Sequence, residues 1–292
     1  MTHCRDGAQE GCRAKGRAAS YNRRVTLKLM AVLAHPDDES LGVGGTMAKY
    51  AAEGVETSLV TATLGQRGRF RGHRHPPEHP GQEALAQIRE DELRAAAATL
   101  GISDLTVFDY VDQELDRAVP REVIGRIARE IRRVRPQVVL TFSHDGAYGH
   151  PDHIAISQFA TAAVVAAADS SFPTDGRVHT VSKLYYIAWP QSVWSAYEEA
   201  LKKATSVVDG VERQSVAWPE WALTTVIDTR AHWETAWKAV SCHDSQIAAY
   251  EGLRHLSPEG HEALWGQQSF YRVLSLVNGG RQSEHDLFEG LR

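Results

Sequence analysis

Apolar residues fall along this chain in two alternating rhythms. Short runs rich in β-branched residues, at 25–34, 55–63, 105–108 and 138–142, are continuous enough to be strands buried on both faces. Between them the apolar positions recur at helical spacing. Leu85, Ile88, Leu93, Ala96 and Leu100 mark one amphipathic helix. Val123, Ile127, Ile131 and Val134 mark another, opened by Pro120 and stopped before Arg135-Pro136. Helices are also expected from Leu41 to Tyr50 and from Asp152 to Ala168. In the first of these, Gly42, Gly44 and Gly45 allow close backbone approach. Strands alternating with helices predict an α/β fold, a Rossmann-like and mostly parallel sheet with helices on both faces. Right-handed crossovers then put the strand C-terminal ends on one edge, where ligands of open α/β sheets bind at a switch point.

After Asp169 the rhythm loosens. Strands are expected at 184–188 and 223–227 and helices at 190–201 and 233–246, forming a C-terminal lobe packed on the sheet. Trp218, Trp221, Trp233 and Trp237 are read as core residues of that lobe. The domain organisation expected is a disordered leader over residues 1–23, one domain over 24–280 and a tail over 281–292.

Composition narrows the function classes. With 292 residues and 42% hydrophobic content the chain can bury one substantial core. A formal charge of −5 leaves no basic footprint for nucleic acid. No apolar run approaches the roughly 18 residues of a membrane span. The leader has basic residues but no apolar core of a secretory signal. Cys4, Cys12 and Cys242 make no disulfide framework and are read as free thiols, Cys242 as a small buried hydrophobe. These features favour the cytoplasm and a small-molecule substrate, and they leave homo-oligomerisation open.

Two segments carry the chemistry. Ala34-His35-Pro36-Asp37-Asp38-Glu39 follows the first strand, and Tyr148-Gly149-His150-Pro151-Asp152-His153 follows a later one. Three N/O protein ligands and one open position suit catalytic zinc. His35 and Asp38 are three apart and can face one ion, with His153 as the third ligand. Two imidazoles and one carboxylate suit Zn2+, with Fe2+ as the alternative. Asp37 then stays available to take a proton from water. His150, three residues before His153, can project to the same side. As a cation it would stabilise an oxyanion and protonate a leaving amine, with Asp152 holding its ring and raising its pKa. Tyr148 adds a donor for the oxyanion. Acid, base, metal and oxyanion donor together suit amide hydrolysis.

Both signatures resemble those of the PIG-L/LmbE family of zinc-dependent N-deacetylases, over about residues 28–165. That family includes deacetylases of N-acetylglucosaminyl conjugates of inositol, malate and phosphatidylinositol, thiol-conjugate amidases, and antibiotic-tailoring deacetylases. The resemblance implies zinc ligands at His35, Asp38 and His153, a general base at Asp37, a second catalytic histidine at His150 and an oxyanion tyrosine at Tyr148. It also implies substrate contacts by Arg89, on the helix after the long loop, and by Asp112, after the next strand. The loop Leu64-Gly-Gln-Arg-Gly68 is similar to a family loop in which an acid stands where Gln66 stands here.

Other features read more plainly. His73, His75 and His79 lie in a loop dense in Pro and Gly and are taken as loop residues rather than a second metal cluster. His232, His243, His255 and His261 are taken as surface or capping groups. Gly42-Val-Gly-Gly45 faintly resembles a dinucleotide fingerprint, but Met47 stands at the third glycine, which argues against an NAD enzyme. Two alternatives to sugar deacetylation remain. One is an amidase of a thiol-sugar conjugate, and the other a non-catalytic glycan-binding protein.

Overall fold

The computed structural model describes residues 26–200, 205–208, 210–248, 251–280 and 282–292. The leader expectation, with Cys4 and Cys12, lies outside the described residues. The first half runs β1 (Lys28–Leu33), α1 (Asp38–Ala52), β2 (Glu56–Thr63), α2 (Gln82–Leu100), β3 (Asp104–Tyr110), α3 (Pro120–Val134) and β4 (Val138–Thr141). A kinked single turn, α4 (Gly146–Gly149), leads into α5 (Pro151–Ala168) and β5 (Lys183–Ile187). The second half adds α6 (Gln191–Ala200), a hairpin of β6 (Thr205–Val208) and β7 (Val211–Gln214), and β8 (Thr225–Asp228). Then come α7 (Trp233–Val240), α8 (Asp244–Ile247), α9 (Glu251–Arg254), α10 (Pro258–Trp265) and β9 (Gln267–Ser275).

Seven strands form one sheet in the order β3-β2-β1-β4-β5-β9-β8. The first five are parallel, while β9 pairs antiparallel with both β5 and β8. Leu29 to Leu33 are fully buried, as a central strand covered on both faces must be. Helices α1, α2 and α7 pack together, and α3 packs against α5. No helix among the described residues is long and apolar enough to cross a membrane.

β1 lies between β2 and β4, so the chain order reverses there. That crevice is the switch point, and the two motifs follow its two strands. Proline and arginine bound α3 as expected, with Arg135 closing it in the left-handed region. The C-terminal half differs more. The helix expected over 233–246 stops at Val240, because residues 241–243 turn sharply before α8. The strand expected from Leu223 starts at Thr225, after a 3₁₀ turn at Glu220–Ala222. β9 has no counterpart in the sequence reading, since its Gln, Ser, Tyr and Arg positions break the apolar pattern. Its Gln268 amide reaches into α1, accepting from Thr46 N at 2.7 Å and donating to Gly42 O at 3.1 Å.

The segment expected as a tail contributes residues to the core. Leu287 and Phe288 are fully buried. Glu284 pairs by backbone with Thr224 and Val226, and its carboxylate lies inside the sheet edge. There it meets Lys183 Nζ at 2.7 Å, Thr225 Oγ1 at 2.7 Å, Tyr185 OH at 2.9 Å and Arg272 Nη1 at 2.9 Å.

Candidate active site

The first motif is a turn locked by its own carboxylate. Asp38 opens α1, and its Oδ2 folds back to accept from His35 N at 2.7 Å and Ala34 N at 3.2 Å. Asp37, just before the helix, has φ 105° and ψ −25°, a left-handed conformation unusual for a residue with a side chain. The second motif begins after β4 with the kinked turn, where Ala147 sits at φ 67° and Asp145 accepts from Ala147 N. Pro151 starts α5, and His150 caps it by accepting from Asp152 N at 3.2 Å through Nδ1. Asp152 and His153 therefore stand in the first turn of α5, facing the end of β1.

The expected ligand set converges. His35 Nδ1 lies 3.1 Å from His153 Nε2. Asp38 Oδ2 is 3.7 Å from His35 Nδ1, and Asp38 Oδ1 is 3.4 Å from His153 Nε2. Neighbouring ligand atoms around tetrahedral zinc, with bonds of about 2.0–2.2 Å, stand about 3.4 Å apart. His35 Nε2 lies 3.1 Å from Asp152 Oδ2 and 3.2 Å from Asp112 Oδ1. Those carboxylates favour a proton on Nε2, so that Nδ1 is the nitrogen a metal ion would take. Phe142 stacks flat on the His153 ring at 3.9 Å. Two imidazoles and a carboxylate packed this closely fit a divalent cation.

Among the described residues, two ligand groupings have metal-like spacing: His35, His150 and His153, and His35, Asp112 and Asp152. The second is accounted for by the hydrogen bonds that orient His35. The first shares both rings of the converging set, but His150 Nδ1 is already an acceptor of a backbone N–H. A groove of 780 Å³ between Leu64 and the start of α2 contains none of these residues, so the site is located by ligand chemistry and not by volume.

Electrostatics separate the roles. Burial opposes the His35 cation, yet the Asp112 and Asp152 carboxylates outweigh it and hold His35 well above the usual imidazole range. The two imidazoles likewise overcome burial at Asp38 and press its carboxyl far below the usual range. Asp37 moves the other way: burial raises it, against the nearby Arg89 guanidinium. Tyr148 is pushed up by burial and by the surrounding carboxylates. His150 is pushed down to about 3, by burial first and then by the neighbouring His35 and His153. The Asp152 carboxylate raises His150 through its charge, as expected, but does not hold its ring. That carboxylate faces His35 and accepts from Gln113 N and Leu115 N, while only the main chain of Asp152 meets His150.

Arg89 and Asp112 also sit in the motif. Both are buried. Arg89 donates to Pro36 O, to Gly65 O at 3.0 Å and to Asp37 Oδ2 at 3.2 Å. Asp112 accepts from Arg67 N at 3.0 Å besides facing His35. Gly65, at φ 60°, must be glycine twice over, because a Cβ there would lie 1.9 Å from Arg89 Nη1. Gly65→Ala is expected to evict the guanidinium, to cost about 2 kcal/mol of stability and to lower turnover. Thermal melting and steady-state rates on the same preparation check this.

The sequence reading missed two buried partners. Glu39 and His243 are both fully buried, with Glu39 Oε1 2.7 Å from His243 Nε2. Glu39 lies in the quoted motif, but nothing near His243 marks it. His243 and His261 were expected as surface or capping groups. His261 is instead buried, with its ring 4.5 Å from Trp237 and Nε2 2.7 Å from Leu253 O. Trp221, expected in the core, is 87% exposed on its 3₁₀ turn. Cys242 is half-buried, close to Thr99.

Comparison with known proteins shows the family. Residues 30–164 match the PIG-L family, described as GlcNAc-PI de-N-acetylase. A 1D-myo-inositol 2-acetamido-2-deoxy-alpha-D-glucopyranoside deacetylase of Catenulispora acidiphila is 34% identical over 90% of this chain and 89% of its own length. One of the same description from Thermobispora bispora is 35% identical, over 90% and 98%. Among solved structures, the N,N'-diacetylchitobiose deacetylase of Pyrococcus horikoshii shares the fold, with TM-score 0.62, 21% identity and coverage of 84% and 83%. The 4-carboxy-2-hydroxymuconate hydratase of Pseudomonas putida shares it too, with TM-score 0.66, 21% identity and coverage of 87% and 99%. One architecture thus carries different reactions, and the chemistry must be argued from the site.

Proposed function

We propose, since this chain belongs to the PIG-L family, that it removes the acetyl group from an N-acetylglucosaminyl-inositol, releasing acetate and a free amine. The observation that carries the reading is the convergence of His35, Asp38 and His153 beside Asp37 and His150. The relatives' descriptions choose the sugar conjugate. A divalent ion held by His35, Asp38 and His153 supplies Lewis acidity and makes water easier to deprotonate. Zinc fits this donor set best, with iron(II) as the second candidate.

The chain's own groups account for the proton movements. Asp37, raised by burial, is suited to take a proton from the attacking water. Burial and the neighbouring imidazoles favour the neutral form of His150, and with Nδ1 accepting from Asp152 N that form carries its proton on Nε2. That N–H is a fixed donor for the developing oxyanion, with the Tyr148 hydroxyl beside it. The proton for the departing amine then comes from Asp37, which holds it after the first step. Asp152 serves by orienting His35. Arg89 and Asp112 serve as supports of the motif, since their hydrogen bonds go to Pro36, Gly65, Asp37, His35 and Arg67.

The test is amine release from a panel holding N-acetylglucosaminyl-inositol, N-acetylglucosamine and N,N'-diacetylchitobiose, with metal-loaded and chelated protein side by side. Release is expected from the inositol conjugate, lost on chelation and restored by zinc. Metal-independent release, or binding of the glycan with no release, would overturn the reading.

A further inference from the structure

The buried carboxylate next to the metal-site motif has its own partner, which comes from the far end of the chain. Glu39 is fully buried in the first turn of α1. Its Oε2 accepts from Asp37 N at 3.0 Å, and its Oε1 lies 2.7 Å from His243 Nε2. Asp37 is the residue held in the left-handed region, a conformation that persists only when surrounding contacts determine it. From the other side, Arg89 holds Pro36 O and the Asp37 carboxylate.

His243 is itself fixed by its neighbours. It lies in the turn between α7 and α8, and the residues after it grip separate parts of the site wall. Asp244 pairs with Arg71. Ser245 donates to Glu92 of α2 through N at 2.6 Å and Oγ at 2.7 Å, and its carbonyl accepts from Arg71 N at 2.6 Å. Gln246 donates to Arg69 O at 2.7 Å. One short segment therefore holds the long loop after β2, helix α2 and, through Glu39, the turn that presents Asp37.

We propose that His243 and Glu39 form a positioning pair for Asp37, with His243–Gln246 as a clamp that registers the catalytic turn against the long loop. The pair touches no reacting atom. It acts by holding the Asp37 N–H, and hence the direction in which the Asp37 carboxylate points. The role rests on the function proposed above, in which Asp37 is the base.

The test compares wild type, His243→Ala and His243→Gln as full-length, zinc-loaded protein. His243→Ala is expected to keep stoichiometric zinc and KM, and to lose about 10- to 100-fold in kcat, the scale of a misplaced catalytic group. His243→Gln, which keeps a donor to Glu39, should recover most of that loss. Amide exchange over residues 34–40 should quicken in His243→Ala, since the Asp37 N–H loses a fixed acceptor. Unchanged kcat and exchange in folded His243→Ala would overturn the pairing. So would a kcat loss that tracks loss of zinc and is equal in both variants. If wild type releases no amine, the functional reading fails, and the exchange data alone then decide whether the pair holds the turn.

Discussion

Asp37→Asn is expected to retain the metal ion and to lose about a thousandfold in kcat, within the range seen for removal of a general base. The substitution is chosen for its backbone. Asparagine tolerates the left-handed region as aspartate does, and its side-chain oxygen can still accept from Arg89. The turn, the ligands and Glu39 are therefore undisturbed, and the change isolates proton acceptance. Metal content by atomic absorption and rate by amine release read the two halves separately. Wild-type turnover in a folded, metal-loaded variant would remove Asp37 from the reaction and reopen the roles of all neighbouring groups.

The second large effect is on stability and lies far from the chemistry. Glu284→Ala is expected to destabilise the protein by about 3–5 kcal/mol, the cost of leaving a buried charge without its partner. Lys183 is fully buried and its ammonium is 2.7 Å from the Glu284 carboxylate. Tyr185, Thr225, Arg272 and Asn278 all turn to the same group. Against a typical total of about 5–15 kcal/mol, the loss should lower Tm by on the order of 10 °C. The pH dependence has a definite sign. Burial would raise the Glu284 carboxyl, but the bonds from Lys183, Thr225, Asn278 and Tyr185 hold it down at about 2. Its stabilisation is thus complete above the unfolded value of about 4.3 and fades as pH falls toward about 2. Glu284→Gln should flatten that part of the acid limb in urea titrations. An acid limb identical to wild type would show that the carboxylate is not what holds the edge.

What was legible in the sequence follows from the range of the interactions. The parallel half of the sheet is local: each strand is a continuous buried run, and the helices carry their own punctuation, as Pro120 and Arg135-Pro136 show. The candidate ligands His35, Asp38 and His153 could be grouped from the sequence because the first two are spaced by the turn that holds them and the third opens the helix after the second motif. What escaped depends on distant partners. His243 reads as a surface histidine until Glu39, some two hundred positions earlier, is beside it. Asp152 reads as the orienter of its neighbour His150, yet its carboxylate reaches across to His35. Arg89 and Asp112 have residue types suited to sugar hydroxyls, and only the packed turn shows that several of their hydrogen bonds go to the first motif and the loop beside it. β9 hides its apolar face among Gln, Ser and Arg because one end of the strand lies against α1 and the other near the surface.

The antiparallel edge also sets a timetable. All three candidate ligands are synthesised within the first 153 residues, whereas His243 and Glu284 come from the final stretch of the chain. The candidate metal-binding groups are thus made well before the residues that close the sheet and brace Asp37. Because domains fold largely as units during synthesis, the unfinished edge at β5 would stay open to solvent and to other chains until β9 emerges. The candidate catalytic residues are among the first of the fold to appear, and the residues that brace them are among the later ones.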